Sequence, residues 1–253
     1  MLRNKRILLV EDSDTDRFLF CRYLQQLGYE CDCFENGKAL VEKLDSYPSS
    51  LILMDIELPV MNGIETALHV RKNFTDDDRR FILIGLTSHN DPKVLDTIAA
   101  SGFDNCIHKP IKRTDLENKL RQYISLPQSI TTMTENSNTH QGSGRLYSLE
   151  MFESDDPDFL QSIIGMFVNN TPASISLIRE SYTKSEWENL RVAAHKLKPH
   201  FNYFMIREAA SALQEIEELA RNVTDMEKIP ALIDIVDRIG SQAIEQMKAD
   251  HLS

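Results

Sequence analysis

The 253 residues, 42% hydrophobic and 26% charged, have an ordinary globular composition and room for two domains of common size. The formal charge of −11 divides as −3 over residues 1–125 and −8 over residues 126–253, leaves no basic stripe, and argues against nucleic-acid binding. No apolar run reaches the ~18 residues a membrane helix needs, and Ile7-Leu8-Leu9-Val10 is too short for a signal-peptide core, so the expectation is a cytoplasmic chain with no membrane partner.

The first half alternates short apolar runs with helical stretches. Ile7–Val10, Cys31–Phe34, Leu51–Asp55, Phe81–Leu86 and Asn105–His108 read as strands. Helices are expected near 14–27, 37–46, 63–74, 91–101 and 113–124. Ser13 is placed to cap the first, Asp91 with Pro92 to start the fourth, and Thr114 with Glu117 to form a capping box at the fifth. Strands alternating with helices mean parallel βαβ units and a doubly wound sheet covered on both faces. The cysteines Cys21, Cys31, Cys33 and Cys106 include no Cys-x-x-Cys pair, so reduced, partly buried thiols are expected.

Residues 126–147 are polar, rich in Ser, Thr and Asn, and lack periodicity, which predicts a flexible linker between a domain at 1–125 and another at 148–253. A linker of roughly 20 residues has an end-to-end distance on the order of 25 Å. The second half contains no convincing strand. It predicts four helices, near 157–182, 186–203, 206–221 and 226–250, packed as a bundle. Ser185 with Glu188 and Thr224 with Glu227 read as capping boxes, and Pro172 as a kink in the first of the four. Leu190, Ala194, Leu197, Phe201 and Phe204 step by three and four and form a bundle-facing stripe.

In an open parallel sheet, ligands bind beyond the carboxyl ends of the strands. Glu11 and Asp12 follow the first predicted strand, Asp55 ends the third, Thr87 follows the fourth and Lys109 the fifth. Polar residues spread over roughly 100 positions therefore converge on one edge, which is the strongest argument the residues make by themselves. Clustered carboxylates repel unless a cation lies among them, and a site of hard oxygens suits Mg²⁺. Asp55 has the chemistry of a nucleophile that forms an aspartyl phosphate, with Lys109 and Thr87 available to the phosphoryl oxygens.

Glu11-Asp12, Asp55 with Pro59 and Gly63, Thr87, and Lys109-Pro110 make residues 4–125 resemble the response-regulator receiver family, whose chemotaxis member exemplifies strand order 2-1-3-4-5. The resemblance implies that Asp12, Asp55 and the backbone carbonyl of Glu57 hold Mg²⁺, with Glu11 acting partly through water. It further implies that Thr87 and Lys109 hold the phosphoryl group. The chain departs from the family at Cys106, where an aromatic commonly serves as a conformational switch.

His195 lies mid-helix at the margin of the apolar stripe, with Lys198 at i+3 and Arg191 at i−4 as neighbours on one helical surface. Lys196 and His200 extend a small basic patch there. A neutral imidazole is a competent nucleophile near neutral pH. His195-Lys196-Leu197-Lys198 within a helical bundle, together with Phe167–Pro172 and Leu213–Ala220, resembles a histidine phosphotransfer domain over residues 148–250. By that resemblance His195 is a phosphoacceptor supported by Lys198. The family's two common glycines are Pro199 and Met205 here, and Pro199 predicts a kink or local 3₁₀ adjustment around His195. Tyr203, Phe204 and Trp187 read first as packing residues.

The two resemblances together imply a phosphorelay protein. A sensor histidine kinase, or its relay domain, would phosphorylate Asp55, and His195 would exchange phosphoryl groups with a receiver in the same or another chain. With no nucleotide-binding loop in the sequence, phosphate must arrive from a donor protein, and slow aspartyl-phosphate autohydrolysis is the enzymatic activity open to such a protein. An alternative makes the bundle a docking or dimerisation module with a silent His195. A third reading, a metal-dependent phosphatase with Glu57 as general acid, fits the remaining pattern poorly.

Overall fold

The computed structural model describes residues 6–47, 51–74, 80–88, 91–124, 145–154 and 156–252. The chain divides into two compact units, Met1–Met133 and Thr134–Ser253. The first contains β1 (Arg6–Val10), α1 (Asp14–Gln26), β2 (Glu30–Phe34), α2 (Gly37–Val41), β3 (Leu51–Asp55), α3 (Gly63–Asn73), β4 (Ile82–Thr87), α4 (Pro92–Ala100), β5 (Asn105–His108) and α5 (Arg113–Leu120). All strand pairs are parallel, and the order is β2-β1-β3-β4-β5.

Central β1 and β3 are buried on both faces, which is why they are nearly continuous apolar runs. The side chains alternate across the sheet. Leu8, Val10, Ile52, Met54 and Leu83 share a core with Leu40 of α2, Ala67 and Val70 of α3, and Ile98 of α4. Ile7, Leu9, Leu53 and Ile84 point the other way and are fully buried. Edge strand β2 is only partly covered.

The helix starts are set by side-chain caps. Ser13 accepts from the Asp16 N–H and Asp91 from the Lys93 N–H, as the sequence predicts. Asn62 and Glu65 form a reciprocal capping box at α3 that the sequence reading missed. The box expected at Thr114 and Glu117 does not cap α5, because the helix starts two residues earlier, at Arg113, and Lys112 occupies the cap position.

In the second unit a short 3₁₀ turn (Glu150–Phe152) precedes α6 (Pro157–Thr183), α7 (Trp187–Tyr203), α8 (Arg207–Asn222) and α9 (Ile229–His251). α6 packs on α7 and α9, and α8 packs on the same two. The predicted stripe on α7 is core: Leu190, Ala194, Leu197, Phe201 and Phe204 are all buried. Phe152, Phe167, Phe201, Tyr203 and Phe204 form an aromatic cluster with centroid spacings from 4.8 to 6.4 Å. The linker expected at 126–147 lies outside the described residues up to 144. Beyond that, the Leu146 N–H donates to Gln246, and Tyr147 donates to Asp250 at 2.8 Å, both on α9.

Two more expected caps fail. Ser185 has φ 57° and precedes Glu186, the residue before α7, which makes no side-chain cap bond. The Thr224 N–H closes α8 on Leu219, leaving Asp225 rather than Thr224 ahead of the next turn. α6 remains α-helical through Pro172 and α7 through His195 and Pro199, so no 3₁₀ adjustment occurs there. Among the described residues no helix is long and apolar enough to cross a membrane.

Candidate functional site

The carboxyl ends of β1, β3, β4 and β5 bring the predicted acidic and basic residues together. Lys109, one residue past β5, is the hub. Its Nζ donates to Glu11 Oε2 at 2.6 Å, to Asp55 Oδ2 at 2.6 Å and to Asp16 Oδ2 at 2.9 Å. It also stands 5.8 Å from the centre of the Phe20 ring. The Glu11, Asp16, Asp55 and Lys109 side chains are each at least nine-tenths buried, so these contacts are weakly screened.

Burial, with the neighbouring Asp55 and Asp16 carboxylates, pushes the Glu11 carboxyl well above its ordinary range, although Lys109 opposes the shift. The Glu57 N–H donates to Asp55 Oδ1 at 2.8 Å and fixes the carboxylate at the strand end. Thr87 closes β4, is buried, and accepts the Lys109 N–H on its backbone carbonyl at 2.8 Å. Gly63 is required by proximity: a Cβ there would collide with the Asp55 carbonyl oxygen and come within 2.8 Å of Ile56 Cα.

Carboxylate oxygens of Glu11, Asp12 and Asp55 all lie within 4.8 Å of one another, the spacing of ligands around one ion. Asp16, which the sequence reading treated only as a helix residue, is the third carboxylate on the Lys109 ammonium, beside Glu11 and Asp55. Its Oδ1 is buried and accepts no hydrogen bond among the described residues. The donor set is entirely oxygen, so it fits a hard divalent cation of the Mg²⁺ type. The missed signal was helical phase: Asp16 lies one turn before buried Leu19 and Phe20 on the inner face of α1. Cys106 is half-buried on β5, and burial raises its thiol pKa. Its Sγ would be 3.2 Å from a Cβ at Gly85.

Residues 7–121 match the family model of the response regulator receiver domain. Those residues are a receiver domain. The CAI-1 autoinducer sensor kinase/phosphatase CqsS of Vibrio cholerae is 33% identical over 47% of this chain and 17% of its own length. The aerobic respiration control sensor protein ArcB of Escherichia coli is 23% identical over 96% of this chain and 30% of its own length. This chain thus spans less than a third of these curated relatives. Among solved structures, the magnesium-bound receiver domain of a Pseudomonas aeruginosa sensor histidine kinase is 27% identical. It covers 47% of this chain and 97% of that one, with a TM-score of 0.43.

The helical unit holds the second candidate group. His195 is largely buried, and its Nδ1 lies 3.2 Å from Glu217 Oε1. Lys198 Nζ donates to Glu217 Oε2 at 2.8 Å and to Gln214 Oε1 at 2.5 Å, and Arg221 donates to Glu217 Oε1 at 2.7 Å. One carboxylate of α8 therefore gathers three cationic or protonatable groups. Burial pushes Glu217 upward, but His195 and Lys198 outweigh it and bring its pKa down to about 2.

The basic patch expected around His195 needs correction at His200. Arg191 forms a two-nitrogen contact with Glu188, at 3.0 and 2.8 Å. His200 is buried and so does not extend a surface basic patch. Glu217 was missed, although an acid one turn after Leu213 and next to Ile216 on an apolar face is a readable signal. Met205 adopts φ 57°, the left-handed conformation that glycine tolerates best.

Proposed function

We propose that the chain is a two-component phosphorelay protein in which Asp55 and His195 are the two phosphoacceptors. The observation that carries the reading is the Lys109 ammonium bridging Asp55, Glu11 and Asp16 at the strand ends of a receiver domain. The site has an excess of negative charge that a divalent cation would balance. Asp12 and Asp55, with Glu11 and the Glu57 backbone, would hold Mg²⁺, which when bound neutralises charge on the transferring phosphoryl group.

Phosphorylation proceeds by attack of an Asp55 carboxylate oxygen on the phosphorus of a donor phosphohistidine. A P–O bond forms, the donor's P–N bond breaks, and the freed imidazole takes up a proton. Lys109 then exchanges a carboxylate contact for a phosphoryl oxygen, and the Thr87 hydroxyl donates to another. The donor would be a sensor histidine kinase or its relay domain.

The helical unit is read as a histidine phosphotransfer domain. Support comes from the helix pairings of α6–α9 and from the Glu217 network, which holds His195 Nδ1 and leaves Nε2 as the nucleophile. Lys198 and Arg221, drawn to the same carboxylate, place positive charge beside an incoming phosphoryl group. The downstream partner would be a receiver aspartate.

The test is a chase of label on the full chain. Phosphorylated kinase is added, with Mg²⁺, to the parent, Asp55→Asn and His195→Gln. The expected result is base-labile label that Asp55→Asn abolishes, and acid-labile label that His195→Gln abolishes and that appears when a phosphorylated receiver is the donor. Absence of acid-labile label with every donor would reject His195 and leave the helical unit a docking module. Absence of base-labile label in the parent would reject Asp55.

A further inference from the structure

Three of the four cysteines meet on the flank of the receiver domain, far along α1 from its acidic start. Cys21 Sγ lies 3.1 Å from Cys31 Sγ and 3.0 Å from Cys33 Sγ, and the latter two are 3.7 Å apart. Cys21 comes from α1. Cys31 and Cys33 are alternate residues of edge strand β2 and so face the same side of the sheet. None is disulfide-bonded, Cys33 is exposed, and the other two are half-buried.

We propose that Cys21, Cys31 and Cys33 form a three-thiolate site for a thiophilic divalent cation of the zinc class, separate from the oxygen site at Asp55. Soft sulfur donors select such cations over Mg²⁺. The geometry suits a capping ion. Sulfurs this close together lie nearer their common centre than the ~2.3 Å of a zinc–sulfur bond, so the ion stands above their plane. Its fourth position then faces away from the three sulfurs and remains open to water. Cys33 provides the entry route.

The electrostatics favour thiolate. Hydrogen bonding with Cys21 and Cys31, with the Arg17 guanidinium nearby, pulls Cys33 below the ordinary thiol range. Hydrogen bonds with Cys21 and Cys33, together with burial, push the Cys31 thiol up. As each sulfur–metal bond forms, the remaining S–H protons pass to buffer. The bound ion would tie α1 to the edge strand.

A disulfide explains the arrangement less well. It would join two sulfurs and leave the third idle, although each sulfur is close to both others. Cys31 and Cys33 themselves, two residues apart on a strand, have α-carbons separated by ~6.6 Å, near the limit for a disulfide.

The experiment uses the full chain, reduced, freed of reductant under argon and held in excess Mg²⁺. Titration with Co²⁺ is expected to give a near-ultraviolet thiolate-to-metal charge-transfer band that saturates at one equivalent and is displaced by Zn²⁺. Cys106→Ser should keep the band, and Cys21→Ser and Cys33→Ser should each weaken it at least tenfold.

Should those variants fail to fold, the parent still decides. Zn²⁺ is expected to protect three of its four thiols from N-ethylmaleimide, read by mass. A missing thiolate band overturns the proposal, as does equal alkylation of all four thiols with and without Zn²⁺. Loss of two hydrogens on mild oxidation without metal uptake also overturns it and assigns a disulfide pair instead.

Discussion

Glu217→Gln tests whether one buried carboxylate organises the histidine site. The folded pKa of about 2 lies below the ordinary 4.5, so ionised Glu217 stabilises the fold at pH values above 4.5. That contribution is about 3 kcal/mol at pH 5.5, falls to about half at pH 3, and is lost as pH drops through 2.

Glutamine keeps the shape and removes the charge beside His195, Lys198 and Arg221. The assay is urea unfolding followed by fluorescence of Trp187, the one tryptophan of the chain, whose ring lies 6.0 Å from Tyr182. That probe reports the helical unit and not the receiver. The variant should lose about 3 kcal/mol at pH 5.5 and about 1.5 kcal/mol at pH 3. An equal loss at both pH values, or a loss under about 1 kcal/mol at pH 5.5, would refute the electrostatic account.

Three further outcomes are expected. Lys109→Met leaves buried carboxylates without their ammonium and should destabilise the receiver by about 3–5 kcal/mol in thermal melts at pH 7. Excess Mg²⁺ should raise its melting point more than the parent's, and equal shifts would sink the shared-cation argument. Gly63→Ala should push the Asp55 backbone aside and slow label uptake from a phosphodonor at least tenfold, and unchanged uptake would show the contact relaxes freely. Met205→Gly removes a left-handed non-glycine residue costing ~1–2 kcal/mol against a glycine entropy penalty of ~0.5–1 kcal/mol. It should therefore raise stability by about 0.5–1 kcal/mol in Trp187-detected unfolding, and a decrease would mean that side-chain packing dominates.

The receiver half was legible because its signals are short-range and repeated. Apolar runs of buried parallel strands announce themselves, and the site residues sit at strand ends, where a boundary error of one residue still leaves them on the same edge. Asp16 escaped because it lies inside a helix, where only rotational phase says that it faces the pocket. The cysteine cluster escaped for a similar reason: residues 21, 31 and 33 lack metal-motif spacing, and only α1 folding against β2 brings their sulfurs together. The capping boxes at Ser185 and Thr224 failed because a hydroxyl three residues before a glutamate recurs by chance. What decides a cap is the backbone, and Ser185 takes a left-handed φ instead.

The two candidate sites are electrostatic opposites, and this explains how one chemical group could use both. At Asp55 one ammonium is shared among carboxylates, so the unmodified site is short of positive charge and needs a cation before a phosphoryl anion can approach. At His195 one carboxylate is shared among an imidazole, an ammonium and a guanidinium, so positive charge is already in excess. A phosphoryl group arriving at His195 can draw Lys198 or Arg221 away from Glu217 without leaving that carboxylate unpartnered. The same group arriving at Asp55 must compete with Glu11 and Asp16 for Lys109. Divalent-cation dependence should therefore be strong for labelling of Asp55. For the His195 step, donated from a receiver that is already phosphorylated, it should follow the donor's requirement, and His195→Gln should leave the Asp55 cation dependence unchanged.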